Sequence, residues 1–231
     1  MRRIVDHDKR RDDIARVAYR IVATHGFDQA SMIRIARETG CTTGMLAHYF
    51  ESKHDIVIAA LRLSMRRVDE RLRQHAASAA CADLSTLLVK VLPLENQRRT
   101  ESAFWVTFWA QATTDKRLRR INRCVYREHA RLCERCLRQY WAEWSQWPAT
   151  ICEQVLYSFV TFINGLIMGI VANANEWPPG YALKQLRLQV KLLHGWATES
   201  SAVLNKRPPA NHGTLAGWDR AHVPAGDGGR E

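Results

Sequence analysis

Two sets of side chains in this 231-residue sequence have the types and spacing to do chemistry. His129, Cys133 and Cys136 fall at i, i+4 and i+7, one face of a helix, and two thiols with an imidazole are soft ligands suited to zinc or copper. Cys152 joins them if the fold brings it near. The plain reading stands beside that one, because cysteine is also a common buried small hydrophobe and Cys133-x-x-Cys136 inside a helix is not a zinc-ribbon knuckle. The second set is Trp105, Phe108, Trp109 and Ala112, an aromatic stripe at i, i+3, i+4 and i+7. Stripes of this kind are most often core. Aromatic faces also cage quaternary ammonium ions, with Tyr126, Tyr140, Trp141 and Phe162 as further walls. There is no glycine-rich phosphate loop, no G-x-S-x-G and no H-E-x-x-H, so the sequence offers little to an enzyme and calls for no cofactor.

The elements that must position these groups are helical. Ile14, Val17, Ala18, Ile21 and Val22 mark an amphipathic helix over about 9–25, with Gly26 just past its end. Ser31 caps a short helix stopped by Gly40, and a second short helix runs from about Thr43 to Tyr49. Ser52 and Asp55 open a long helix towards Ala77. Another helix closes at Pro93, Glu95 to Ser102 reads as a polar loop, and a helix covers 103–113. Asp115 to Ser145 reads as one long arginine-rich helix whose charges form a solvated face. Pro148 starts the next helix, to about Asn173, and Trp177-Pro178-Pro179-Gly180 separates it from a last amphipathic one. From Lys206 the periodicity is lost, and the tail reads as disordered. No alternating strand pattern appears. The expectation is an all-α chain of nine helices.

Composition agrees with a soluble globular protein, at 46% hydrophobic and 25% charged residues. The formal charge of +11 favours an anionic partner. Met1 to Lys9 lacks the apolar core of a secretory signal, so the six cysteines are expected as reduced thiols in a cytoplasm. The longest apolar run, Phe159 to Ala174, contains Asn164 and falls short of the ~20 residues that span a bilayer, so a buried helix is expected and no membrane contact.

The two short helices and their glycine turn, in a basic chain, make a helix-turn-helix candidate. The run Ser31 to Val57, SMIRIARETGCTTGMLAHYFESKHDIV, carries IA-x-x-x-G, TG-x-x-x-HYF and SK elements and resembles the DNA-binding signature of the TetR family of transcriptional regulators. The resemblance implies an N-terminal three-helix DNA-binding domain, expected at 1–52. It also implies a larger domain, at 53–205, that dimerises and binds a small effector, with 206–231 as the tail. The second short helix is implied to enter the major groove, with Thr42, Thr43, Gly44 and Met45 at its leading end. Ser31, His48, Tyr49 and Lys53 match family positions that contact phosphate. Leu46 and Phe50 are assigned to the core, and Arg34 is read as a DNA contact or a solvated surface arginine. At Ala47 many family members carry an aromatic, so operator preference does not transfer.

The segments from Ala103 to Ala110 and from Phe162 to Leu166 resemble the AFW and IDGL segments of the betaine-biosynthesis repressor branch (BetI) of that family, with Asn164 where the branch usually has Asp. The resemblance implies a homodimeric repressor on a palindromic double-stranded operator, modulated by choline or a relative. Its dimer interface is expected on the helices at 151–173 and 183–204. The alternative is a metal- or thiol-responsive sensor using His129, Cys133 and Cys136.

Overall fold

The computed structural model describes residues 7–76 and 83–205. Among the described residues the fold is all-α: α1 (His7–His25), α2 (Met32–Thr39), α3 (Thr43–Tyr49), α4 (Lys53–Ala76), α5 (Leu84–Leu88), α6 (Asn96–Thr114), α7 (Lys116–Tyr140), a 3-10 segment (Ala142–Gln146), α8 (Ala149–Ala172) and α9 (Pro179–Asn205). The expected tail at 206–231 lies outside them.

Short-range signals place the first elements. Ser31 Oγ accepts the Arg34 N–H at 3.2 Å, which satisfies one of the donors that a helix start leaves open. Thr42 Oγ1 does the same for Met45 at 3.0 Å. Between them Gly40 takes φ 65°, a left-handed geometry that a side chain disfavours, and ends α2. At the start of α4 the Ser52 hydroxyl donates to the Asp55 carboxylate at 2.6 Å and accepts the Asp55 N–H at 3.3 Å.

Three expectations change. Asn96 to Ser102 is the start of α6 and not a loop. Its polar side chains hide the helical period because they have tertiary partners: Arg98 Nε donates to the Leu92 carbonyl at 2.8 Å, Arg99 Nε to that of Pro93 at 3.3 Å, and Glu101 is buried. The helix expected up to Pro93 stops at Leu88. The long arginine helix ends at Tyr140, where Trp141 leaves helical geometry at φ −117° and ψ 94°. Trp141, Trp144 and Trp147 then pack together with ring centroids 5.7–6.4 Å apart, burial that a straight helix would forgo.

Two apolar cores result. One joins α1, α2, α3 and the first half of α4, and continues into α6 and α7 through Phe104, Phe108, Ala112, Leu118 and Val125. The other gathers α5, the second half of α7, α8 and α9 around Phe159, Leu166 and Leu186. α8 is longer than its most apolar run. It has 24 residues, and an 18-residue stretch of it has a mean hydropathy of 2.0 and is 33% buried, so by length and composition alone it is apolar enough to cross a membrane. Tyr157, Thr161, Gly165 and Met168 follow one open stripe of α8, and Leu188, Leu192 and Trp196 lie exposed on α9.

Candidate functional site

The helix-turn-helix is built by burying one side of each short helix. Ile35 and Ala36 of α2 and Leu46 of α3 are sealed against α1, and Phe50 follows them, as expected. What remains outside is Ser31, Thr42, Thr43, Gly44, Met45, Ala47 and His48. Met45 is 45% exposed at the start of α3, and Ile33 of α2 is 72% exposed. Tyr49 is half-buried, its ring 4.7 Å from that of His7 and its carbonyl accepting from Arg11. Lys53 lies 4.1 Å above the Phe27 ring, and partial burial lowers its pKa. Arg34 is committed to its own helix, bonded to Glu38 at 3.0 Å and to Gln29 at 3.4 Å. Behind this face, His54 meets Asp115 at 3.2 Å and Arg117 meets Asp55 at 2.8 Å, which ties the start of α4 to the α6–α7 corner.

The second site is a cavity enclosed mainly by α4, α6, α7 and α8. The centre of a water-sized sphere has about 90 Å³ in which to move there, several times the 10–15 Å³ that one water needs. Of the seven aromatic residues expected to form a cage, Trp105, Trp109 and Tyr126 line it. The other four do not. Phe108 is sealed in the N-terminal core, and Phe162 packs against the C-terminal one. Tyr140 and Trp141 border a separate surface groove with Glu143 and His194. Trp105 and Trp109 keep one side to the cavity, whereas Phe108 between them is fully buried in the N-terminal core with its ring 6.1 Å from that of Trp105.

Charge in the cavity was missed by the sequence reading. Glu101 is 6% exposed, accepts from the Ser64 hydroxyl at 3.1 Å, and is ion-paired with Arg71. The Ser64 oxygen in turn accepts the Trp105 indole N–H at 2.9 Å. The signal was present, since Glu101 sits four residues before Trp105 on the same helical face, but a loop assignment at 95–102 concealed it. Asn122 and Asn164 also line the cavity, each with a buried side-chain oxygen that has no protein partner. Burial together with the Glu101 charge raises the pKa of Tyr19 on α1.

His129, Cys133 and Cys136 line the same cavity. They do not assemble a metal site: among the described residues no group of three or more His, Cys, Asp or Glu side chains is placed to hold a metal ion. His129 Nε2 lies 3.7 Å from Cys133 Sγ, while Cys152 Sγ is turned to the carbonyls of Trp144 and Trp147. Burial pushes the Cys133 thiol up and the Cys136 thiol up to about 11, the opposite of what a ligating or redox-reactive thiolate needs.

The buried imidazole has a measurable consequence. Burial pushes His129 down to about 4 from an ordinary 6.5. Between those values the unfolded chain holds a proton that the folded chain does not, so stability is lost as the pH falls through that window. Urea denaturation is expected to find this contribution about 2 kcal/mol smaller at pH 5 than at pH 7, and His129→Gln should remove that part of the pH dependence. An unchanged pH dependence in the variant would contradict a buried neutral imidazole.

Residues 14–60 match the family model of bacterial regulatory proteins of the tetR family, and residues 80–194 that of the BetI-type transcriptional repressor C-terminal region. The chain is 30% identical over 114 residues to the transcriptional regulator PksA of Bacillus subtilis, covering 48% of this chain and 56% of that one. It therefore spans a little over half of that relative. With the regulator BetI of Yersinia pestis it shares 26% identity over 136 residues, covering 55% and 69% of the two chains. A transcriptional regulator of Pseudomonas aeruginosa has the same fold, with a TM-score of 0.69 at 21% identity over 86% of this chain and 96% of that one. So does one of Saccharomonospora viridis solved with choline, with a TM-score of 0.64 at 20% identity over 80% and 96%. The two matched sequence models, which together span most of the chain, lead to one conclusion: the chain belongs to the TetR family of transcriptional regulators and carries a BetI-type C-terminal region.

Proposed function

We propose that this protein is a cytoplasmic, homodimeric repressor that binds a palindromic operator and releases it when a choline-like quaternary ammonium ion occupies the cavity. The observation that carries the DNA role is the exposed end of α3, where Thr42, Thr43, Gly44 and Met45 stand clear of the core with the donors and apolar contacts that base edges require. Ser31, His48, Tyr49 and Lys53 flank that end and contact phosphate. In this reading residues 1–52 form the DNA-binding domain, 53–205 the effector and dimerisation domain, and no reaction is catalysed.

Cation binding is supported by the cavity: Trp105, Trp109 and Tyr126 supply π-faces, and Glu101 a carboxylate. The choline bound to the Saccharomonospora regulator points to the same ligand class. Release follows from linkage, since a ligand that prefers a helix arrangement unsuited to the operator weakens DNA binding by its degree of preference. The apolar stripes of α8 and α9 meet their copies in a four-helix bundle, which accounts for α8 without a membrane.

The test is selection of source-genome fragments by the purified protein at moderate salt, with and without choline. A palindrome recovered without choline and lost with it is the expected result. A palindrome indifferent to choline removes the ligand assignment, and the absence of any enriched sequence removes the operator reading.

A further inference from the structure

We infer that Arg71 is a built-in competitor for the effector: the cation takes over Glu101 from Arg71, and that exchange loosens α4 from α6. The inference rests on the cavity being a cation site. Among the described residues, Glu101 and Arg71 are the only acidic and basic side chains lining it, one of each sign. A cation that enters with Arg71 still in place leaves one positive charge in excess among apolar walls, which is costly. One that displaces Arg71 restores the balance.

The two partners of the pair differ in freedom. Glu101 is fixed: its side chain is 8% exposed, and one oxygen accepts from Ser64, which is itself held by the Trp105 indole. The Arg71 side chain is 25% exposed, on a long flexible stem with a route towards solvent. Its hold on Glu101 is also incomplete. Arg71 Nε is buried without a hydrogen-bond partner, so the guanidinium does not use its paired N–H groups as a fork. The carboxylate stays, therefore, and the guanidinium is the member that moves.

Position along α4 gives the exchange its consequence. The first half of α4 is built into the core of the DNA-binding head through Ile56, Val57, Ala60 and Leu61. Ser64 and Arg71 lie further along the same helix and bind Glu101 of α6. Replacing Arg71 by a ligand at Glu101 removes one α4–α6 tie and leaves the Ser64 bonds with Glu101 and Trp105, so the helix that carries the head is held less firmly. The same carboxylate thus reads the ligand and holds the head.

The experiment is a titration of intrinsic tryptophan fluorescence with choline chloride and with tetramethylammonium chloride, on the full chain and on Arg71→Met, Arg71→Lys and Glu101→Gln. Arg71→Met keeps the apolar stem and removes the competing charge, so its choline Kd is expected to tighten at least tenfold. Glu101→Gln should weaken it at least tenfold, and Arg71→Lys, which keeps the charge, should stay within about threefold. A structural role for Arg71 predicts the opposite sign, because loss of the pair would damage the cavity. Arg71→Met with an unchanged or weaker Kd overturns the inference and leaves the cation reading intact. A wild-type protein silent to both cations overturns the two together. Should Arg71→Met fail to give a cooperative melt, Arg71→Gln asks the same question.

Discussion

Leu192→Glu combined with Trp196→Glu is expected to yield a monomer in sedimentation at micromolar concentration and to lower affinity for a palindromic operator at least a hundredfold. Leu192 is 56% exposed and Trp196 43% exposed, one turn apart on α9. A large apolar side chain contributes roughly 1.5–3 kcal/mol when it passes from water to a packed interface. Two-fold symmetry doubles that loss and places four new carboxylates in the bundle, where like charges face one another without partners. A monomer then grips one half-site alone, and the second half no longer contributes. A double variant that remains dimeric would relocate the interface away from α9. One that becomes monomeric yet binds the palindrome with full affinity would remove the dimer from the mechanism.

Phe104→Ala is expected to have the largest effect on stability. The side chain is fully buried and its ring lies 4.8 Å from that of Tyr19, so α6 is packed on α1 through this contact. Deleting a phenyl group from such a site costs about 3–5 kcal/mol, the lost transfer energy plus the cavity left behind. A domain's total is only about 5–15 kcal/mol. Thermal unfolding should shift down by roughly 6–20 °C. Phe162→Ala, at a half-buried position against the other core, serves as the milder comparison. Equal losses for the two variants would mean that the α1–α6 junction has no special weight.

What could be read from the sequence was what neighbouring residues settle among themselves. Ser31, Gly40 and Thr42 cap or stop their helices through atoms three or four residues away, so type and spacing were enough. The exposed start of α3 followed from Leu46 and Phe50 facing inward. The cavity was legible only in part, because a stripe on one helix does not say which neighbour each ring meets. Trp105 and Trp109 border the cavity, while Phe108 between them is taken up by the N-terminal core. Glu101 escaped notice for a deeper reason. A buried carboxylate is tolerated only where distant groups satisfy it, and Arg71 and Ser64 are 30 and 37 residues away. The same applies to Trp141, whose departure from helix reflects indoles that come together only in three dimensions.

The N-terminal core does not end where α3 ends. Phe104, Phe108, Ala112, Leu118 and Val125 complete it from α6 and α7. A head exchanged between relatives by recombination near residue 52 would therefore arrive with its inner surface facing a stranger's α6. The side chains of α3 that stand in solvent, Thr43, Gly44, Met45, Ala47 and His48, take no part in that core and can be replaced without disturbing it. The residues that seat the head must change in concert with those more than forty positions downstream, or not at all.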